Sequence, residues 1–306
     1  MLSKRVLIIF LDGVGLGVAD PKANPFMQVD MPAMQALFNV AHLSQDAAGT
    51  ITEHVALLGL DATLGVSGLP QSATGQTSIL TGQNAAALLG RHIGPYPTAE
   101  LRNLLATDSL FQTIQAANFA AAYANAYPTR FLERLERGKG RLSANTSAAR
   151  MAGLRLRNHE DLQQGQAISA LLSNSYWPEP DVDLPPLNAY QAGEQLVALS
   201  TTYTLTFFEF WYTDMLGHKM EREASLELLV QLDAFLAGTL ARLDLDRTLL
   251  LVISDHGNFE DWTTKKHTTN PALTILAGNK VATWAPRLRT LIDIKPVILD
   301  YLFAEA

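Results

Sequence analysis

Six side chains in the 306-residue sequence have types and spacings that could hold divalent metal: Asp12, Asp214, His218, Asp255, His256 and His267. Asp214 and His218 stand four apart, so on one helical turn both would face the same way and could share an ion. Asp255 and His256 are adjacent at the end of an apolar run. Neighbouring side chains normally diverge, so one ion takes both only in an irregular loop, and Gly257 supplies the freedom for one. His267, in Lys265-Lys266-His267-Thr268-Thr269-Asn270-Pro271, would be a poor candidate by itself. Each has an ordinary alternative: an aspartate after a strand commonly caps a turn or a helix, and a lone histidine commonly sits in a core. Three such aspartates, two with a histidine close by, are harder to reduce to capping. Carboxylate and imidazole suit zinc, manganese and related ions without choosing among them.

Two divalent ions a few ångström apart would stabilise both the attacking and the leaving oxygen of an in-line displacement at phosphorus. A nucleophile is offered by Gly68-Leu69-Pro70-Gln71-Ser72-Ala73-Thr74-Gly75-Gln76-Thr77-Ser78-Ile79-Leu80-Thr81-Gly82, which reads as a loop entering a helix. A serine there would meet an incoming phosphate at backbone N–H groups and the positive end of the helix. A bound metal would lower its pKa. The same hydroxyls could be plain helix caps.

The elements that must position these groups are strands alternating with helices. Residues 6–11 and 248–253 are continuous apolar runs, as expected of strands buried on both faces. Residues 203–210 and 273–276 read as two further strands, and 221–243 as a long amphipathic helix. Asp12, Asp214 and Asp255 each follow a strand closely, where open parallel sheets bind their ligands. The fold class is therefore α/β, with a mostly parallel central sheet, helices on both faces and a smaller inserted cap. The core is assigned to 1–85 and 196–306. The cap is assigned to 86–195, whose Pro-rich, acidic stretch at 176–186 reads as a linker or lid loop.

With 48% hydrophobic and 17% charged residues the chain can fill one large core. Its net charge of −7 argues against a nucleic-acid footprint, though not against an anionic substrate, since metal ions reverse the local field. The absence of cysteine excludes disulfides, thiolate sites and a cysteine nucleophile. The first apolar run meets Asp12 after six residues and lacks a small-residue cleavage site, so a buried strand is expected rather than a signal peptide. No segment reads as a membrane span, and a cytoplasmic location is expected. Gly13, Gly15 and Gly17 follow a strand, but the third glycine comes one residue too early for a dinucleotide fingerprint.

Ser254-Asp255-His256-Gly257-Asn258-Phe259-Glu260, followed by His267-Thr268-Thr269-Asn270-Pro271, resembles the alkaline phosphatase superfamily. Within it, the motifs are similar to those of the cofactor-independent phosphoglycerate mutases and phosphopentomutases. Asp214-Met215-Leu216-Gly217-His218 and the opening strand with Asp12-Gly13 resemble the same branch. The resemblance implies one metal held by Asp214, His218 and His267. It implies a second held by Asp12, Asp255 and His256, with the nucleophile bridging or beside it. Ser72 is the nucleophile implied, ten residues before Gly82, as in related phosphodiesterases and sulfatases; Thr74 and Thr77 compete, Thr77 because it follows Gly75-Gln76 much as the mutase serine follows Gly-Asn. The mutases' Asp-Arg-Asp signature is missing, as is the sulfatases' x-Pro-x-Arg after the nucleophile. The implied activity is transfer of phosphate from a small phosphorylated metabolite through a phosphoserine, by hydrolysis or intramolecular transfer. A phosphodiesterase, a nucleotide pyrophosphatase and a non-catalytic metal-binding relative are the alternatives.

Overall fold

The computed structural model describes residues 4–303. Seven strands, β1 (Arg5–Leu11), β2 (Thr50–Ile51), β3 (Val55–Leu60), β4 (Ala121–Tyr123), β5 (Leu205–Phe210), β6 (Thr248–Ile253) and β7 (Ala272–Ala277), form one sheet in the order β2-β3-β7-β6-β1-β5-β4. β6, β1, β5 and β4 run parallel, whereas β7 is antiparallel to both β6 and β3. β1 lies at the centre between β5 and β6. Val6, Ile8 and Phe10 enter one core and Leu7, Ile9 and Leu11 the other, which is why the strand reads as unbroken apolar sequence. Helices Ser72–Thr81, Leu110–Ala116, Ala144–Met151 and Ile294–Phe303 fill the first face. Helices Pro32–Phe38, Ala189–Ser200 and Arg222–Arg242 fill the second.

The parallel strands carry the residues after β1, β5 and β6 to one edge of the sheet. β7 delivers its residues differently. Being antiparallel to β6, it presents its start at that same edge, with Thr274 beside Ile253. The loop before β7, which carries His267, therefore arrives next to the loop after β6, and Gly257 bridges to Thr268.

Two expectations need correction. The segment 86–195 is not a cap alone: it supplies β4, whose Tyr123 is fully buried, and the helices Leu110–Ala116 and Ala144–Met151 of the first core. A three-residue strand such as Ala121–Tyr123 is too short to show a period. The helix Arg222–Arg242 is also long and apolar enough, by length and composition, to cross a membrane. Here it packs on Ala189–Ser200 with backbones in close approach, as the glycines show. A Cβ on Gly193 would lie 2.1 Å from the Phe235 carbonyl oxygen, and one on Gly238 would lie 2.0 Å from that of Tyr190.

Candidate metal centre

All six expected ligands meet at the edge that the strand directions create. Asp12 follows β1 directly, its backbone N–H donating to the Phe210 carbonyl at 2.9 Å. Gly13 after it has φ of +68°, and a Cβ there would stand 2.5 Å from Asp214 Oδ1. Glycine at this turn is what lets the β1 loop and Asp214 approach. Asp214 and His218 lie on the first and last turns of the Tyr212–Lys219 helix, with His218 Nε2 3.3 Å from Asp214 Oδ2. His267 Nε2 lies 3.1 Å from His218 Nε2 and 3.5 Å from Asp214 Oδ1.

The outer nitrogens of these two rings are occupied. His218 Nδ1 is 2.7 Å from the Lys265 carbonyl and His267 Nδ1 is 2.7 Å from the Pro70 carbonyl. A carbonyl only accepts, so each Nδ1 carries a proton; His267 Nε2 turns a lone pair inward, and His218 Nε2 does so once it gives up the proton it shares with Asp214. That tautomer is the one a metal-binding imidazole adopts. His256 stacks on His267 at 3.8 Å between centroids, and its Nε2 lies 3.6 Å from both Asp12 Oδ1 and Asp255 Oδ2.

The donor atoms fall into two sets. Those of Asp214, His218 and His267 lie within 4.8 Å of one another, and so do those of Asp12, Asp214 and His256. The first set is the expected one. In the second, Asp214 stands where Asp255 was expected. Asp255 is held back slightly: Gly13 N–H donates to its Oδ1 at 3.3 Å and Gln76 Nε2 to its Oδ2 at 3.3 Å. Asp214 thus lies between the two sets.

This environment is unfavourable without a cation. Asp12 Oδ1 is buried and has no hydrogen-bond partner. Burial, and then the charges of Asp255 and Asp214, push the Asp12 carboxyl well above the ordinary range. Burial and the Asp214 charge push Asp255 up to about 7. Burial lowers His256, and lowers His267 to about 4, so both imidazoles stay neutral. His218, bonded to Asp214, is pushed up to about 8. Buried acids crowded together, an orphaned carboxylate oxygen and inward lone pairs fit divalent ions in both sets.

Ser72 opens the Ser72–Thr81 helix, and its Oγ lies 3.0 Å from His256 Nε2. Thr74 and Thr77 turn away: Thr74 Oγ1 donates to the Gln71 carbonyl at 3.0 Å and Thr77 Oγ1 to that of Ala73 at 2.6 Å. The helix sits directly on the β6 loop, because a Cβ on Gly75 would come within 2.9 Å of the Asp255 backbone oxygen.

Three positioning residues were not singled out from sequence. Glu260 accepts from Gly15 N–H at 2.8 Å, Asn258 N–H at 2.8 Å, Thr268 Oγ1 at 2.5 Å and Asn270 Nδ2 at 2.9 Å, tying together the loops that carry Asp12, His256 and His267. Asn258 Nδ2 donates to Asp214 Oδ1 at 2.7 Å. Gln76 joins Asp255 to the N–H of Ala144. Glu260 and Asn258 lie inside the motif that carried the resemblance, but their partners come from distant loops that spacing does not reveal. A cavity of about 910 Å³ opens over the centre, with Asp12, Ser72, Asp214 and His218 in its lining.

Comparison with known proteins agrees with this architecture. The profile of the Metalloenzyme superfamily matches residues 4–306. The 2,3-bisphosphoglycerate-independent phosphoglycerate mutase of Acaryochloris marina is 32% identical over 136 residues, covering 39% of this chain and 25% of that protein. The Antithamnion sp. mutase of the same name is 31% identical over 131 residues, covering 39% and 26%. The chain therefore spans about a quarter of the curated relatives it matches. Among solved structures, PH0037 from Pyrococcus horikoshii superposes with a TM-score of 0.62 at 16% identity, over 100% of this chain and 98% of that one. The alkaline phosphatase of the Antarctic bacterium TAB5 superposes at 0.53 and 11% identity, over 100% of both chains. Leishmania mexicana phosphoglycerate mutase gives 0.51 and 11%, over 99% and 96%. These structures share the fold, and the match along almost the whole sequence places this chain in the Metalloenzyme superfamily.

Proposed function

We propose that this protein is a metal-dependent phosphoryl-transfer enzyme that hydrolyses a small phosphomonoester through a phosphoserine at Ser72. The observation that carries the reading is Ser72 Oγ, 3.0 Å from His256 Nε2, at a helix start beside two sets of metal-ligand atoms. Asp214, His218 and His267 would hold one divalent ion, zinc or manganese; Asp12, Asp214 and His256, with Asp255 close by, would hold the other. Bound there, the ions supply the positive charge that stabilises the oxygens around phosphorus in the transition state. The first N–H groups of the Ser72–Thr81 helix favour the same negative charge. Ser72 Oγ attacks phosphorus, the ester bond breaks, and the alcohol leaves with a proton. Water then displaces Ser72 and releases phosphate.

Hydrolysis is favoured over return of the phosphate to another position of the substrate. A mutase must retain its dephosphorylated intermediate by charge, and among the described residues the cationic side chains lining this cavity besides His218 are Arg141 and Lys219. Both are engaged, Arg141 over the Tyr96 ring at 5.4 Å and Lys219 3.7 Å from Glu221. The test is turnover of monoesters, diesters and sulfate esters under one metal condition. Monoesters should react fastest, and Ser72→Ala should lower kcat by about a thousandfold or more. A diester turned over about a hundredfold faster than every monoester would contradict the reading.

A further inference from the structure

The wall of the cavity above the metal centre is rich in aromatic rings. Six aromatic residues, Tyr96, Tyr127, Phe131, Tyr176, Trp177 and Trp211, contribute to its wall. Tyr96, Tyr176 and Trp211 are also 41%, 64% and 43% exposed, an unusual cost for large rings unless something covers them. The cavity's volume of about 910 Å³ far exceeds what one phosphate needs and is at the upper end for small-molecule sites.

Several polar groups in the wall are already paired within the protein. Asn125 Nδ2 donates to the Glu209 carbonyl at 2.7 Å, and Asn125 Oδ1 accepts the Glu209 N–H at 2.7 Å. The Glu209 carboxylate accepts from Tyr123, from Asn145 Nδ2 at 3.1 Å, from Ser143 Oγ at 3.2 Å and from Thr146 Oγ1 at 3.3 Å. The Tyr127 hydroxyl is 2.9 Å from Thr146 Oγ1, and Trp177 Nε1 donates to Glu179 at 3.0 Å. At Asn125, Glu209, Tyr127 and Trp177 a ligand rich in hydroxyls would have to displace a hydrogen bond already made. A flat apolar body would lose nothing and would cover rings with geometry suited to it. Tyr127 and Phe131 already stack on each other at 5.0 Å and 17°.

We propose that the substrate is a phosphomonoester whose alcohol carries a planar aromatic body, seated against the aromatic wall while its phosphate meets Ser72. This inference rests on the phosphomonoester reading above and narrows it. The test compares benzyl phosphate with ethyl phosphate on the metal-loaded protein. Both release alcohols of similar basicity, so a difference reports on the body and not on the leaving group. Benzyl phosphate should have the higher kcat/KM by about tenfold or more, as burial of a phenyl ring implies. Phe131→Ala and Tyr176→Ala should each shrink that ratio, through KM more than kcat.

Equal kcat/KM for the two esters would overturn the aromatic assignment and leave phosphomonoester hydrolysis standing. Turnover of neither would contradict hydrolysis itself. In that event binding of benzylphosphonate and ethylphosphonate, followed by tryptophan fluorescence of the metal-loaded protein, decides the substrate body. Tighter binding of benzylphosphonate, weakened in Phe131→Ala, supports it; equal affinities overturn it.

Discussion

Asp214 is the residue on which the centre turns, because its carboxylate reaches toward both sets of donor atoms. Asp214→Asn should therefore abolish binding at both metal sites, whereas His218→Ala should remove one ion and leave the other. Metal analysis after gel filtration distinguishes these outcomes; loss of a single ion in Asp214→Asn would mean that the sites do not share it. Asn258 holds Asp214 Oδ1 from behind. Its replacement by Ala should weaken metal binding by about 10–100-fold without emptying the site, as a competitive chelator titration would show. The candidate ligands were legible at this scale because Asp214-x-x-x-His218 and Asp255-His256 stand out by spacing. His267 was named only through its motif, since its place depends on an antiparallel strand pairing that spacing does not contain. Asp255 lies 3.6 Å from His256 Nε2, while Gln76 and Gly13 donate to its oxygens.

At the scale of elements, β1, β5, β6 and β7 were readable, whereas β2, β3 and β4 were not. β1, β5 and β6 present long apolar runs ending at chemistry-bearing residues. β3, Val55–Leu60, is nearly as apolar, but it ends at no ligand and pairs antiparallel with β7 at the far side of the sheet. The helix Arg222–Arg242 illustrates how packing resolves an ambiguity that composition leaves. By length and hydropathy it could lie in a bilayer; its Gly238 instead meets the Tyr190 backbone so closely that no Cβ fits. Gly238→Ala should force the two helices apart and destabilise the protein by about 1–3 kcal/mol. Thermal unfolding checks this, and an unchanged Tm would show that the helices are not in such contact.

For the whole molecule, the cost of bringing buried carboxylates together is offset when cations bind. Metal should accordingly raise Tm in proportion to the logarithm of its free concentration. The pH dependence follows from the metal-free state. Asp255, pushed up to about 7 there, must give up its proton before the centre can hold a second cation nearby. Apparent metal affinity should hence begin to fall as pH drops below about 7 and not only below about 4, where an ordinary aspartate would protonate. Isothermal titration in two buffers, reading proton release, measures this directly; proton-free binding at about pH 6 would be inconsistent with it.

On the proposed reading, the sheet edge that gathers the candidate ligands presents Ser72 to phosphorus. Rapid chemical quench of the metal-loaded protein during turnover of a phosphomonoester, followed by mass spectrometry of the peptide spanning Gln71 to Gly82, tests it most directly. Phosphate on Ser72, absent in Ser72→Ala, is the predicted result. Phosphate on Thr74 or Thr77, or turnover with the peptide unmodified at every quench time, would contradict the account.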